Sequence, residues 1–230
     1  MTLTSDDWVA VQLSLKVALW ATVASLPVGI AVAYALARGR FAGRAVLDGL
    51  VHLPLVLPPV VTGYVLLLGF GRKGPFGAAL EACCGLVLSF RWTGAALAAA
   101  VMAFPLMVRA IRLSLEAVDP DLEQAAATLG ASRPWVFLTV TLPLAAPGIL
   151  AGLVLGFAKA LGEFGATITF VSAIPGETQT LPAAIYGYTQ VPGGEAGAIR
   201  LSLVAVSIAL GAVIASEWLA RRVAGPGRLT

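Results

Sequence analysis

The chain has 230 residues, of which 59% are hydrophobic and 12% charged, with a formal charge of +3 and a mean hydropathy of +0.91. A soluble domain carries about twice that share of charge, so an ordinary water-soluble enzyme or nucleic-acid-binding module is excluded and the expected surroundings are a lipid bilayer. Cys83 and Cys84 are adjacent and form neither a metal-ligand set nor a disulfide framework, so they read as packing or loop residues.

The chain opens on Thr4, Ser5, Asp6 and Asp7, an acidic start without the basic region of a cleaved signal, so the first span is expected to be retained. Apolar runs of roughly 20 residues or more cross ~30 Å of hydrocarbon. Five segments qualify: residues 8–37, 46–70, 92–115, 136–161 and 198–220. The third is expected to leave the bilayer near Arg109 and continue as a helix in water. Residues 168–188 are broken by Pro175, Gly176, Glu177 and Pro182, which suits a re-entrant or surface segment better than a sixth span. The fold class is therefore an all-α polytopic bundle, in one membrane domain over residues 1–230.

Orientation follows from the basic residues. One set of connections holds Arg38, Arg40, Arg44, Arg109, Arg112, Arg133, Arg221, Arg222 and Arg228; the other holds Arg72, Lys73, Arg91 and Arg200. The richer set belongs in the cytoplasm. That puts the amino terminus outside, the carboxyl terminus inside, and the connection between the third and fourth spans in the cytoplasm.

Prolines sit in or beside the spans at Pro27, Pro54, Pro58, Pro59, Pro105, Pro143 and Pro147. Each removes a backbone donor, which points to kinked or broken helices of the kind transporters use. In the fourth span Gly148, Gly152 and Gly156 share one face, continued by Ala160, and mark a seam where another helix comes close. The partner is either another span of this chain or a second copy. Lys159 and Glu163 lie four residues apart near the end of that span, on one helix face. They are either a gate or a structural pair. His52, between apolar residues, reads as helix packing.

The cytoplasmic connection at residues 119–135 carries most of the functional signal. Asp119 suits an N-cap with Pro120 at the first helical position, and Gly130 suits a helix stop. Ser132 suits a second N-cap, ahead of Arg133. Between them lies a short helix bearing Ala125, Ala126 and Ala127, a shallow surface on which another protein can sit.

Gln124-Ala125-Ala126, then Gly130, Val140, Leu142 and Pro143 in register, resembles the coupling loop of ABC-importer permeases. In that family the loop docks into a separate ATPase subunit. The resemblance implies the type I importer permease fold and a docking surface comprising Glu123, Gln124, Ala125, Ala126, Gly130, Arg133, Leu142 and Pro143. The family's glutamate falls on Gln124; Glu123 beside it points about 100° away around the helix. No phosphate-cradling Gly-x-x-x-x-Gly-Lys-Ser/Thr occurs, so no cofactor is expected in this chain, and ATP and Mg²⁺ are expected on the partner.

Residues 161–170 and 174–182, with 52–61 and 216–222, are similar to the permeases for molybdate and related oxyanions, bacterial inner-membrane proteins; sulfate and thiosulfate permeases share part of this text. That likeness implies a homodimer, two ATP-binding subunits and an extracytoplasmic molybdate-binding protein. It makes Lys159, Glu163, Phe164, Gly165 and Thr167 candidates for the pathway or its gate. An ATP-independent channel or secondary transporter, using Lys159 and Glu163 as a relay, is the rival from another class.

Overall fold

The computed structural model describes residues 3–224; Arg228, counted above for orientation, lies outside them, and the side chains of Arg221 and Arg222 are likewise not described. Every regular element among the described residues is helical. In chain order they are α1 (Ser5–Arg38), α2 (Arg44–Val56), α3 (Pro59–Phe70), α4 (Pro75–Cys84), α5 (Trp92–Glu116), α6 (Pro120–Thr128), α7 (Arg133–Val136), a π-helical turn (Phe137–Thr141), α8 (Leu142–Leu161), α9 (Gly165–Val171), α10 (Leu181–Thr189) and α11 (Glu195–Ala224).

Four rods are long and apolar enough to cross a membrane: α1, α5, the continuous Arg133–Leu161 run through α7 and α8, and α11. The fifth expected span, residues 46–70, is not straight. It is α2 and α3, bent by 115° where Leu57 and Pro58 intervene and Pro59 opens α3. Two successive residues without an N–H cannot continue the α-helical ladder, so the chain turns there. Core packing places its two halves at opposite ends of α5. Val51 of α2 packs with Ile111, Leu115 and Val118 at one end of α5, whereas Leu66 and Phe70 of α3 pack with Ala95, Ala98 and Ala99 at the other.

In α5, 56% of the residues of the apolar stretch are buried, against 33% in α1, 17% in the α7–α8 rod and 11% in α11. So α5 is the axis of the bundle, and α8 and α11 leave most of their surface to lipid or another chain. Lipid is as apolar as the core, so burial of oily surface does not hold such helices together; close packing of small residues does. Ala95, Ala98 and Ala99 of α5 are fully buried.

The same packing orders the ends. Val17 and Ala21 of α1, Ala160 of α8 and Phe170 of α9 cluster with the beginning of α5. Ala33 and Leu36 of α1 and Ala145 of α8 cluster with its end. Residues 165–189 stay at the first end: α9 and α10 are seven and nine residues long, and Leu181 and Ala184 pack with Ala10, Val11 and Leu201. The segment expected not to span forms two short helices confined to one end of the bundle, α9 packed on α3 and α5 and α10 on α11 and α1. Its corner is tight. Ser172 adopts φ 63° and ψ −170°, a region L-residues avoid, and buried Thr178 braces it by donating to Ser172 O (3.2 Å) and accepting from Ile174 N (2.9 Å).

The acidic start has a structural use. Thr4 and Asp7 form a capping box that begins α1 ahead of Trp8. Asp7, with a side chain only 1% exposed, then accepts from Arg200 Nη2 at 2.6 Å and Tyr188 OH at 2.9 Å, tying α1 to α10 and α11. His52 Nδ1 lies 2.9 Å from Asp48 O, and Asp48 pairs with Arg112 at 3.1 Å, so this histidine stands beside an α2–α5 ion pair.

Candidate coupling surface and transport pathway

At the end of the bundle opposite Ser5, α6 stands clear of the core, with no residue buried. Asp119 caps it, accepting from Asp121 N at 2.9 Å, and Pro120 occupies its first turn. Gly130 closes it with φ +90°. Gly130 N donates to Ala127 O (3.0 Å) and Ala131 N to Ala126 O (3.2 Å), the Schellman pattern that lets a helix stop abruptly. Ser132 sits at the following N-cap position, but its side chain makes no capping bond; the expectation of a side-chain cap there fails, and the turn relies on Val136 N donating to Ser132 O.

The docking candidates divide by exposure. Gln124, Ala125, Gly130 and Arg133 are exposed and Ala126 is half-buried. Leu122 and Leu129 flank them, 48% and 89% exposed. A groove of about 270 Å³ runs beside α6, lined by Tyr34, Glu123, Gln124, Arg133, Phe137 and Thr141 among others. Glu123 turns inward, as the angular offset from Gln124 requires. Its Oε1 accepts from Thr141 Oγ1 at 2.7 Å and from Arg38 Nη2 at 3.4 Å. Arg38 Nη2 also donates to Val118 O at 2.8 Å. Leu142 and Pro143 follow the π-turn, in which Leu142 N reaches back to Phe137 O. Pro143 has no N–H to give, and a widened turn ahead of it spares its ring the usual carbonyl clash.

The glycine seam faces α5. A Cβ at Gly148 would collide with Ser114, one at Gly152 would lie 3.0 Å from Ile111 Cγ1, and one at Gly156 2.9 Å from Met107 Cε. The close partner is thus a span of this same chain.

At the other end of α8 the gate candidates form one local network. Lys159 Nζ meets Glu163 Oε2 at 2.6 Å, with side chains 30% and 2% exposed. Glu163 Oε1 accepts from Ala166 N at 3.0 Å and so caps α9. Thr167 is buried and donates to Phe164 O at 2.9 Å. The Phe164 ring lies 5.2 Å from that of Tyr186. Gly165 is pressed on the α2–α3 corner, where a Cβ would stand 2.7 Å from Pro59 Cβ. Alongside it, a Cβ at Gly63 would meet Ala166 O at 2.5 Å. Thr141 and Ser14, which accepts from Leu181 N at 2.5 Å, escaped the sequence reading, while Arg38 entered it only as an orienting charge and Asp7 only as part of the acidic start; their placement as polar residues within or bordering apolar runs was the one hint of these contacts.

Residues 25–225 match the family model described as "Binding-protein-dependent transport system inner membrane component". The chain is 59% identical over 221 residues to the molybdenum transport system permease protein ModB of Escherichia coli K12, covering 96% of each. It is 58% identical to the Haemophilus influenzae ModB, over 93% of each. A sulfate transport system permease protein, CysW of Synechococcus elongatus, is 39% identical over 74% of this chain and 61% of its own. Among solved structures, a bacterial ABC transporter importing alginate superposes with TM-score 0.72 at 17% identity, over 95% of this chain and 82% of that one. An amino acid ABC transporter gives 0.66 at 19% identity, over 96% and 100%; both show the fold, that of type I importer permeases. The chain is a membrane component of a transport system and belongs to the family of binding-protein-dependent transport system inner membrane components.

Proposed function

We propose that this chain is the permease subunit of an ATP-driven importer for molybdate, with tungstate as a close analogue. The observation that carries the substrate is the likeness to molybdenum permeases, which runs nearly end to end in both chains; the sulfate permease matches less of either partner. The working unit is two copies of this chain with two ATP-binding subunits, which hold ATP and Mg²⁺, and an extracytoplasmic molybdate-binding protein that delivers the anion. The chain is itself non-catalytic. It sits in a bacterial inner membrane with Ser5 outside and α6 in the cytoplasm, the direction favoured by its basic residues.

In this mechanism the exposed Gln124–Gly130 face docks on the ATPase, together with Glu123, Arg133, Leu142 and Pro143 around it. Closure of the ATPase dimer on ATP draws the two α6 helices together and opens the spans outward; hydrolysis resets them. Lys159, Glu163, Phe164, Gly165 and Thr167 line or support the pathway where α8, α9 and the α2–α3 corner meet. The test is ATP-dependent uptake by the purified complex in liposomes with the binding protein. Molybdate and tungstate should compete and sulfate should not. Competition by sulfate alone would transfer the chain to the sulfate permeases, and uptake without nucleotide would favour a channel or secondary transporter.

A further inference from the structure

The short helix α6 presents a mechanical problem. It is nine residues long and buries none of them, and helices of that length are marginal in water on their own. Its linkers to α5 and α7 are brief but non-helical. A push on such a helix would be absorbed by the linkers unless something polar fixes it to the bundle.

One carboxylate oxygen does so. Glu123 Oε1 takes the Thr141 hydroxyl from the π-turn that begins the α8 rod and the Arg38 guanidinium from the last residue of α1. The same Arg38 nitrogen holds Val118 O in the linker that leaves α5. Thr141 is 1% exposed and the Arg38 and Glu123 side chains are about four-fifths buried, so water competes weakly for these bonds. The π-turn is what brings Thr141 to this position. In a helix interior a threonine hydroxyl usually turns back on its own carbonyls; here it reaches across to α6.

We propose that Arg38 and Thr141 are positioning residues for energy coupling: through Glu123 they make α6 a rigid lever on α1 and α8, so that movement of the docked helix becomes movement of the spans. The inference rests on the ATP-driven reading above and adds to it the residues through which force passes.

The experiment uses the complete reconstituted complex and reads ATPase co-purification, ATP hydrolysis and anion taken up per ATP. Thr141→Val keeps the shape of the side chain and removes its donor; Thr141→Ser keeps the donor; Arg38→Gln removes the charge. Docking and hydrolysis should stay within about twofold of wild type in all three, while uptake per ATP falls about tenfold to a hundredfold in Thr141→Val and Arg38→Gln, the scale of one lost charge-assisted hydrogen bond. Thr141→Ser should restore the ratio. A constant ratio, with docking, hydrolysis and thermal stability declining together, would reduce the contact to ordinary structure and overturn the inference. A wild-type complex lacking ATP-dependent uptake would instead overturn the transport reading on which it stands.

Discussion

Gly130→Val isolates the role of the α6 stop. Gly130 holds φ +90°, and a Cβ built there meets nothing within 4 Å, so the substitution adds no clash and its cost lies in the backbone alone. A left-handed conformation costs an L-residue ~1–2 kcal/mol, more for one branched at Cβ. Since α6 buries no residue, packing cannot offset that cost. A penalty of ~1–2 kcal/mol shifts a local equilibrium about 5–30-fold, here toward a frayed last turn in which the bonds from Gly130 N to Ala127 O and Ala131 N to Ala126 O are lost. The exposed face would then be misshapen for docking in most molecules. Co-purification of the ATPase should weaken by that factor, and anion-stimulated ATP hydrolysis and uptake should fall with it. Gly130→Asn, which tolerates this φ, should lose far less. A Gly130→Val complex that docks and transports like wild type would refute both the conformational argument and the assignment of this surface.

Gly148→Leu should drive α8 off α5 by colliding with Ser114; overpacking of this kind costs about 1–3 kcal/mol, read as a lower melting temperature in detergent, and Ser114→Gly should recover part of it. Glu163→Gln should leave Lys159 without its counter-charge but keep an acceptor for Ala166 N, and a Lys159→Met/Glu163→Gln double variant separates the two roles. Full uptake by that double variant would make the pair structural, and its loss with the fold intact would make it part of the pathway. Exposed Cys83 and Cys84 should react with a membrane-impermeant maleimide from outside intact cells. A Leu129→Cys variant carrying Ser at both positions should react only after lysis; the reverse pattern would invert the orientation.

How far this fold can be read from its sequence depends on whether a feature is periodic. Apolar runs revealed the spans because one continuous property decides them, and the interruptions at Pro175 and Pro182 rightly kept residues 168–188 from becoming another. The ends were less visible. α1 begins at Ser5 because Thr4 and Asp7 cap it, a local polar device that hydropathy discounts. The 115° corner at Pro58 and Pro59 is poorly legible for a related reason: a proline weakens a helix wherever it falls, yet Pro54 lies inside α2 and Pro27 inside α1. Two adjacent prolines, and a glycine-lined partner in Gly165 to receive the bend, turn a weakness into a corner.

The site divides along the same line. Gly130, Asp119 and Pro120 were legible because caps act within four residues of where they are read. The Gly148–Gly156 stripe showed that something approaches closely, since a missing side chain is a statement about space; it could not name α5, because any helix with matching relief satisfies it. The Arg38–Glu123 contact is the opposite case. Its members stand 85 residues apart, and no spacing connects an arginine that ends a span with a glutamate on a surface helix. Their meeting depends on α1 and α5 finishing at the same level and on the π-turn aiming Thr141 at the same oxygen. In a bundle held together by alanine and glycine surfaces, such polar contacts are few and directional. They fix the position of a helix that buries no apolar residue of its own.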